Sequence, residues 1–176
     1  MSPRLFAVLR RGHTMQSLDI HVYTCIISNM SVKNQKPAGN IELCMNLSYR
    51  KASRVISQIY DRELADCGIK CTQFSILRAT FFRKHTSNAE LQEILVLNQT
   101  TLTRGLKPLI RDGLIQVEPG EDRRQKILSL TRKGEDLYFQ AEKKWQLAQK
   151  FIRRKLGQEK TDQMIKLNSS IVELRK

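Results

Sequence analysis

The spacing of apolar and polar residues divides the chain, from residue 41 onwards, into a series of amphipathic segments. Between residues 41 and 66 the apolar positions recur three or four residues apart, which predicts a helix with one buried face. Gly68 follows where a helix C-cap is expected. A second helix is predicted to begin at Thr72, because threonine caps helix N-termini well. Its apolar face consists of Phe74, Leu77 and Phe81.

Two shorter helices are predicted next, joined by a tight connection. Ser87 and Glu90 have the spacing of a capping box, which begins the first of these helices. Asn98 or Gln99 is placed to cap the second helix, which runs to about Gly113. Two short helices with a turn of a few residues between them form a helix-turn-helix.

The second of these helices has two chemically different faces. One face is apolar, and the other carries hydroxyl, guanidinium and ammonium groups without a carboxylate. Such a face suits phosphates and base edges, although an ordinary solvent-exposed basic face has the same composition. Gly105 and Pro108 weaken the helix by roughly 1 and 3 kcal/mol, so we expect it to continue but to bend. The apolar face is Leu102, Leu106, Leu109 and Ile110, and the polar face is Thr100, Arg104, Lys107 and Arg111.

A β-hairpin is predicted directly after this helix. Strands are expected over residues 114–117 and 126–130, with turn-forming residues between them. A hairpin in this position is a wing. Arg123 and Arg124 lie at its tip, where arginine is attracted to the negative potential of a minor groove.

Two further helices complete the predicted chain. Thr131 caps a long helix that runs to about Leu156, and Gly157 ends it. The apolar stripe of this long helix is Leu137, Ala141, Trp145, Ala148 and Ile152. The final helix has a seam pattern that suits a partner helix, either the first helix or a helix of a second copy. The seam is Met164, Leu167, Ile171 and Leu174.

The predicted fold class is mainly α with a small β-hairpin wing (α+β), in which a winged helix-turn-helix lies between N- and C-terminal helices. Residues 1–40 form an N-terminal extension or arm, whose order the sequence does not determine. Residues 41–71 form the first helix and residues 72–131 the winged lobe. Residues 132–176 form the long helix and the C-terminal helix.

Charge and composition restrict the partners and the location. A net charge of +14 over 176 residues implies an acidic partner, such as nucleic acid, an anionic membrane surface or an acidic protein. No apolar run approaches the roughly 20 residues that span a bilayer, and we find no signal-peptide pattern. The cysteines form no C-x-x-C pair and are expected to be reduced. We therefore expect a cytoplasmic protein without a membrane partner.

Other function classes fit these patterns less well. The chain has no Gly-rich phosphate loop, no G-x-S-x-G and no H-E-x-x-H, so we expect no enzyme, no metal and no cofactor. An RNA-binding module would interleave aromatic residues with basic ones, and a membrane-binding helix would have a wide apolar face. A general basic nucleic-acid-binding or architectural module, without a response to an inducer, stays open as the alternative to a regulator.

The order and spacing of these motifs resemble the MarR family of bacterial transcriptional regulators over about residues 41–156. The resemblance rests on several short runs taken together. It implies a homodimer whose N- and C-terminal helices form the interface, and which binds a palindromic double-stranded DNA operator as a repressor. The runs are residues 72–74, 91, 100–104, 106–109, 112–115, 122–124 and 130–134.

Carried over position by position, the resemblance assigns DNA contacts on the helix and at the wing. It gives Asp122 the role of orienting a wing arginine through an ion pair, while turn formation explains this aspartate equally well. The assigned DNA-binding residues are Thr100, Thr101, Thr103, Arg104, Lys107, Arg123 and Arg124.

The resemblance also implies two ways of releasing DNA. Tyr60, Phe74 and Trp145 are candidates for lining a pocket for a small aromatic ligand, although aromatic residues at helical spacing more often form core. Cys44 resembles a redox-active cysteine near the start of the first helix. A buried structural cysteine is the default expectation there, because free cysteine packs as a small apolar residue.

Overall fold

A computed structural model describes residues 44–120 and 125–175. The predicted N-terminal extension and the wing-tip residues Asp122, Arg123 and Arg124 lie outside the described residues. The chain divides after Tyr49 into two units. Of the first unit, the structure describes only the beginning of the first helix; the second unit contains all the other described elements.

The described chain is mostly helical, with one small antiparallel sheet, as the sequence predicts. The sheet has three strands in the order β1-β3-β2, and β1 is a short strand that the sequence analysis did not predict. The helices are α1 (Met45–Leu64), α2 (Cys71–Arg83), α3 (Asn88–Leu95), α4 (Gln99–Arg111), α5 (Arg132–Leu156) and α6 (Gln158–Glu173), with a 3₁₀ turn at Ala65–Cys67. The strands are β1 (Thr86–Ser87), β2 (Ile115–Pro119) and β3 (Lys126–Leu130).

The junction between α1 and α2 differs from the prediction at one cap. Gly68 caps the 3₁₀ turn in the left-handed conformation, with φ of 68°, as expected for a glycine C-cap. Thr72, however, lies inside α2, and the prediction that it is the N-cap is wrong. The Lys70 N–H donates to Gln73 Oε1 at 2.8 Å, and the Cys71 N–H donates to Asp61 Oδ1 at 2.7 Å. These side chains satisfy the first N–H groups, so the helix begins earlier than Thr72.

The helix-turn-helix has the predicted caps. The Glu90 N–H donates to Ser87 Oγ at 3.2 Å, and the Ser87 N–H donates to Glu90 Oε2 at 2.7 Å, which is a complete capping box. Asn98, rather than Gln99, caps α4, since its Oδ1 accepts from the Thr101 N–H at 2.8 Å. Local hydrogen bonds therefore define the beginning of both helices.

The core of the second unit lies between α2, α4, α5 and the sheet. Leu77, Leu91 and Leu102 are no more than 1% exposed within it. On α5 the sequence analysis assigned Leu137 and Trp145 to the buried stripe, but both are only partly buried. Tyr138 is the buried residue instead, at 1% exposure, because its ring stacks on the rings of α2. Its centroid lies 4.2 Å from that of Phe81 and 6.0 Å from that of Phe74.

Helix α4 continues through both residues that weaken it, as predicted, while the bend expected there stays a prediction. Pro108 lies inside the helix and has no N–H group to donate to the carbonyl of Arg104. Gly105 faces α2 at close range. Ile110, which the analysis placed on the core face, is 39% exposed. It lies roughly 80° around the helix from Leu102, at the edge of the apolar face, where it turns towards the hairpin.

Candidate nucleic-acid interface

The polar face of α4 is presented to solvent on a helix that the core holds in place. Leu102, Leu106 and Leu109 are 1%, 5% and 1% exposed, respectively, and anchor the opposite side. All helix residues assigned to DNA binding are exposed, and α4 contains no aspartate or glutamate. These residues are Thr100, Thr101, Thr103, Arg104 and Lys107.

The three cations on this helix differ in whether they form an ion pair. Arg111 forms a bidentate ion pair with its neighbour Asp112, with Nε–Oδ1 and Nη2–Oδ2 distances of 2.7 and 3.2 Å. Hydrogen bonding from Arg111 holds the pKa of Asp112 below its ordinary value. Within the described ranges, no salt bridge involves Arg104 or Lys107. Both side chains are exposed and, as far as the described residues go, available to an anionic partner.

The C-terminal end of α4 is attached to the beginning of α5. The Thr131 hydroxyl donates to the Gly113 carbonyl at 2.6 Å and accepts from the Gly134 N–H at 3.1 Å. Lys133 Nζ donates to the Asp112 carbonyl at 2.9 Å. Gly134 packs against the Leu114 carbonyl so closely that no Cβ atom would fit. The orientation of α4 is thus linked to α5 through backbone carbonyls.

The hairpin predicted as the wing is present next to α4. Strands β2 and β3 pair antiparallel from Ile115 opposite Leu130 to Pro119 opposite Lys126. The Gly120 N–H donates to the Gln125 carbonyl at 2.9 Å and closes the described part of the hairpin. The roles assigned to Asp122, Arg123 and Arg124 concern residues beyond this described part and stay predictions.

A groove of about 440 Å³ separates α4 from the hairpin. Its walls include Thr103 and Lys107, which the sequence analysis assigned to DNA binding. They also include Lys126, which the sequence analysis did not assign. The alternation of β3 could have identified Lys126 from the sequence, because Lys126 lies on the same strand face as the buried Leu128.

The candidate ligand-pocket residues form an aromatic cluster in this chain. Tyr60 stacks on Trp145 at a centroid distance of 6.5 Å, and Phe74 lies 6.2 Å from Trp145. Phe74 is 2% exposed and belongs to the core, whereas Tyr60 and Trp145 are half-buried. Burial, more than any other cause, raises the pKa of Tyr60. A ligand role for these residues stays a prediction.

The described cysteines differ in exposure. Cys44 is exposed in the single chain, so the default expectation of a buried structural cysteine at this position is wrong for the single chain. Burial raises the pKa of the Cys67 and Cys71 thiols, which disfavours their thiolate forms. Among residues 44–120 and 125–175 no group of three or more His, Cys, Asp or Glu side chains could hold a metal ion. None of the described helices combines the length and apolar character needed to cross a bilayer.

A model of the MarR family matches residues 69–126, which extend from just before α2 to the first residue of β3. Among solved structures, the M. tuberculosis transcriptional regulator MosR in complex with DNA is 31% identical to this chain. It superposes with a TM-score of 0.66, covering 76% of this chain and 98% of MosR.

Curated relatives match over a shorter part. The HTH-type transcriptional regulator YwoH of Bacillus subtilis is 28% identical over 88 residues, which are 50% of this chain and 64% of YwoH. An HTH-type transcriptional regulator of Staphylococcus aureus is 40% identical over 67 residues, which are 38% of this chain and 46% of that protein. The chain thus spans about half to two-thirds of the length of these relatives. With the helix-turn-helix, the hairpin and the likeness to MosR over nearly its whole length, these matches show that the chain belongs to the MarR family of transcriptional regulators.

Proposed function

We propose that the chain regulates transcription by binding double-stranded DNA, with α4 in a major groove. The observation that carries this proposal is the exposed, carboxylate-free face of α4, held rigidly by three buried leucines on the other side. Threonine hydroxyl and methyl groups suit phosphates and the thymine methyl, and Arg104 can pair bidentately with guanine O6 and N7. Lys107 contributes affinity through a phosphate, without sequence information.

We further propose a homodimer that binds a palindromic operator. Support comes from α6, where Leu167 and Leu174 are 59% and 82% exposed in a single chain. Leucines of a predicted helical seam that are this exposed favour burial against a second copy. A twofold dimer would place two copies of α4 about one helical turn of DNA apart, so each half-site would be read by one copy.

The proposed regulator acts as a repressor that an effector releases from DNA. A small aromatic acid would contact Tyr60 and Trp145, because these rings are the half-buried members of the aromatic cluster. The exposed Cys44 offers a second route through oxidation of its thiol. Either effector would have to bind or modify the DNA-free form preferentially to shift the equilibrium.

Selection of bound fragments from the genome of the source organism tests the proposal. The full-length protein should enrich fragments that share an inverted repeat with half-sites one helical turn apart. Repeating the selection with aromatic acids and with peroxide should identify the effector class through loss of the enriched fragments. Enrichment without a shared sequence would contradict the proposal and favour a general nucleic-acid-binding module.

A further inference from the structure

A cavity of about 540 Å³ lies where the end of α2, the sheet and the beginning of α5 meet, and is here called the α2–sheet cavity. Sites for small molecules have volumes of this order, with apolar walls and a few polar groups. None of the described residues assigned to DNA binding lines it, and neither does any member of the aromatic cluster around Trp145. Its lining residues are Thr80, Phe81, Phe82, Lys84, His85, Gln116, Ser129, Leu130 and Glu135.

The pairing of the hairpin strands places two polar residues beside this cavity. Gln116 lies directly opposite Ser129, and opposed residues of an antiparallel pair share a face of the sheet. Val117 and Leu128, their neighbours along the two strands, lie on the other face and line the groove beside α4. The α2–sheet cavity and that groove are therefore separate sites on opposite faces of the sheet.

Two phenylalanines of α2 give the cavity an aromatic wall. The Phe81 ring is held by α5, since its centroid lies 4.2 Å from that of Tyr138 and 5.3 Å from that of Phe139. Phe82 meets Phe81 edge-on at 5.6 Å and is 63% exposed. An apolar group that covers such a ring removes apolar surface from water, which favours binding.

A strained turn after α2 adds two polar residues to the lining. Lys84 has φ of 61° and ψ of −59°, and the His85 N–H donates to the Arg83 carbonyl at 2.7 Å. These angles and this hydrogen bond define the γ-turn with positive φ, which is rare and strained. Strain of this kind clusters at sites that hold ligands. The turn brings an ammonium group and an imidazole, both hydrogen-bond donors, to adjacent positions of the cavity lining.

Charged groups of both signs line the cavity. Lys84 comes from the strained turn, and Glu135 comes from the first turn of α5. Among the salt bridges of the described residues, none involves Lys84, His85 or Glu135. A cation and a carboxylate that do not pair with each other can each pair with one end of a ligand that carries both charges.

We propose that the α2–sheet cavity binds a small zwitterion with an apolar side chain, namely an aromatic or aliphatic amino acid. Lys84 and His85 bind its carboxylate, and Glu135 binds its ammonium group. Phe82 covers the side chain, and Gln116 adds neutral hydrogen bonds. This site goes beyond the proposed function, because it takes a different class of ligand at a place distinct from the aromatic cluster.

Calorimetric titration of the full-length protein, without DNA, tests the ligand class. Phenylalanine should bind, and leucine should bind too. Phenylpropionate lacks the ammonium group and phenylethylamine lacks the carboxylate, so each should bind about tenfold more weakly than phenylalanine, because one charged hydrogen bond is lost. Alanine keeps both charges but lacks the ring, and it should also bind more weakly.

Two variants locate the bound amino acid. Glu135→Gln removes the charge at nearly constant shape and should weaken phenylalanine binding about tenfold, while phenylpropionate binding should not change. Lys84→Gly should weaken phenylalanine binding by about the same factor. It should not lower stability, because glycine adopts a positive φ readily. Thermal unfolding checks that both variants are folded.

Matched controls make the same changes away from the cavity. Glu159→Gln alters the first turn of α6, and Lys143→Ala removes a charge from an exposed position of α5. Both variants should bind phenylalanine as the wild type does.

Each contrary outcome has a definite meaning. If neither phenylalanine nor leucine binds at millimolar concentration, the cavity proposal is overturned. Binding of phenylalanine that neither Glu135→Gln nor Lys84→Gly weakens would also overturn it, because the amino acid would then lie elsewhere. Phenylpropionate that binds as tightly as phenylalanine would show that the ammonium group is not recognised. Since no DNA takes part, failure of this proposal leaves the proposed regulator untouched, and failure to bind DNA leaves the cavity result untouched.

Discussion

Gly105 of α4 packs against Ile76 of α2 so closely that a Cβ atom at position 105 would lie 2.6 Å from Ile76 Cδ1. Ile76 is 1% exposed, so its side chain has little room to move away. The glycine that weakens the helix locally is thus what lets α4 lie directly on α2. The lower helix propensity at Gly105 is offset by closer packing between α4 and α2, on the side of α4 away from the proposed DNA contacts.

This contact predicts a double-mutant effect. Gly105→Ala should lower the free energy of unfolding by about 1 kcal/mol, since crowding in a packed core costs more than the gain in helix propensity. In an Ile76→Val background, which lacks Cδ1, the same change should be neutral or stabilising by up to about 1 kcal/mol. Urea unfolding of the four proteins measures the coupling. Equal effects of Gly105→Ala in both backgrounds would show that Ile76 does not limit this position.

Arg104 is predicted to read a base rather than only a phosphate. Arg104→Ala should cost about 1–3 kcal/mol on the operator and much less on mixed-sequence DNA. Arg104→Lys keeps the charge but not the planar fork, so it should lose specificity while keeping non-specific binding. Anisotropy titrations on both DNAs measure the ratio. An equal loss of affinity on both DNAs would show that Arg104 contacts only a phosphate.

The exposed seam of α6 is predicted to form the dimer. Leu167→Asp places a charge at a position that is 59% exposed in one chain and buried in the proposed dimer. It should shift the protein to monomers with weak operator binding, because an unpaired buried charge is costly. Asn168→Asp adds the same charge at the neighbouring exposed position and should leave the dimer intact. Light scattering gives the mass of each variant. If Leu167→Asp stays dimeric, Leu167 does not lie in the dimer interface.

Tyr138 is predicted to make stability depend on pH in alkali. Burial first, and then the hydrogen bond to Glu142 Oε1 at 3.0 Å, raises the pKa of Tyr138 to about 12. Below pH 10 the phenol is protonated in both the folded and unfolded states and contributes no pH dependence. Between pH 10 and about 12 only the unfolded state releases the proton, so stability falls as pH rises, by at most about 1.4 kcal/mol per pH unit.

Tyr138→Phe isolates that contribution. The variant should be less stable at neutral pH, because it loses the hydrogen bond, but its stability should fall less steeply above pH 10 than that of the wild type. Urea unfolding at half-unit pH steps from 8 to about 11 compares the two slopes. Parallel curves above pH 10 would show that the tyrosine titrates alike in the folded and unfolded states.

Local features of the sequence were sufficient to predict most elements of this chain. The capping box of Ser87 and Glu90, the Asn98 cap and the left-handed Gly68 are present because their hydrogen bonds and backbone angles involve only neighbouring residues. The amphipathic pattern of α4 likewise predicted which side is exposed, because the helical repeat by itself places its leucines and its threonines on different sides of the helix.

Only the tertiary structure decided what depends on residues distant in the sequence. Thr72 is not the N-cap because Asp61, from the preceding helix, accepts a hydrogen bond from the Cys71 N–H at the start of α2. Strand β1 forms because its two residues pair with β3. Two residues are too few to show the alternation of apolar and polar positions by which a strand is predicted. Lys126 belongs to the candidate interface because the pairing of β3 with β2 places it on the strand face that lines the groove beside α4. The amino-acid order determines helices and caps through short-range bonds, whereas the surface that meets a partner depends on which elements pack together.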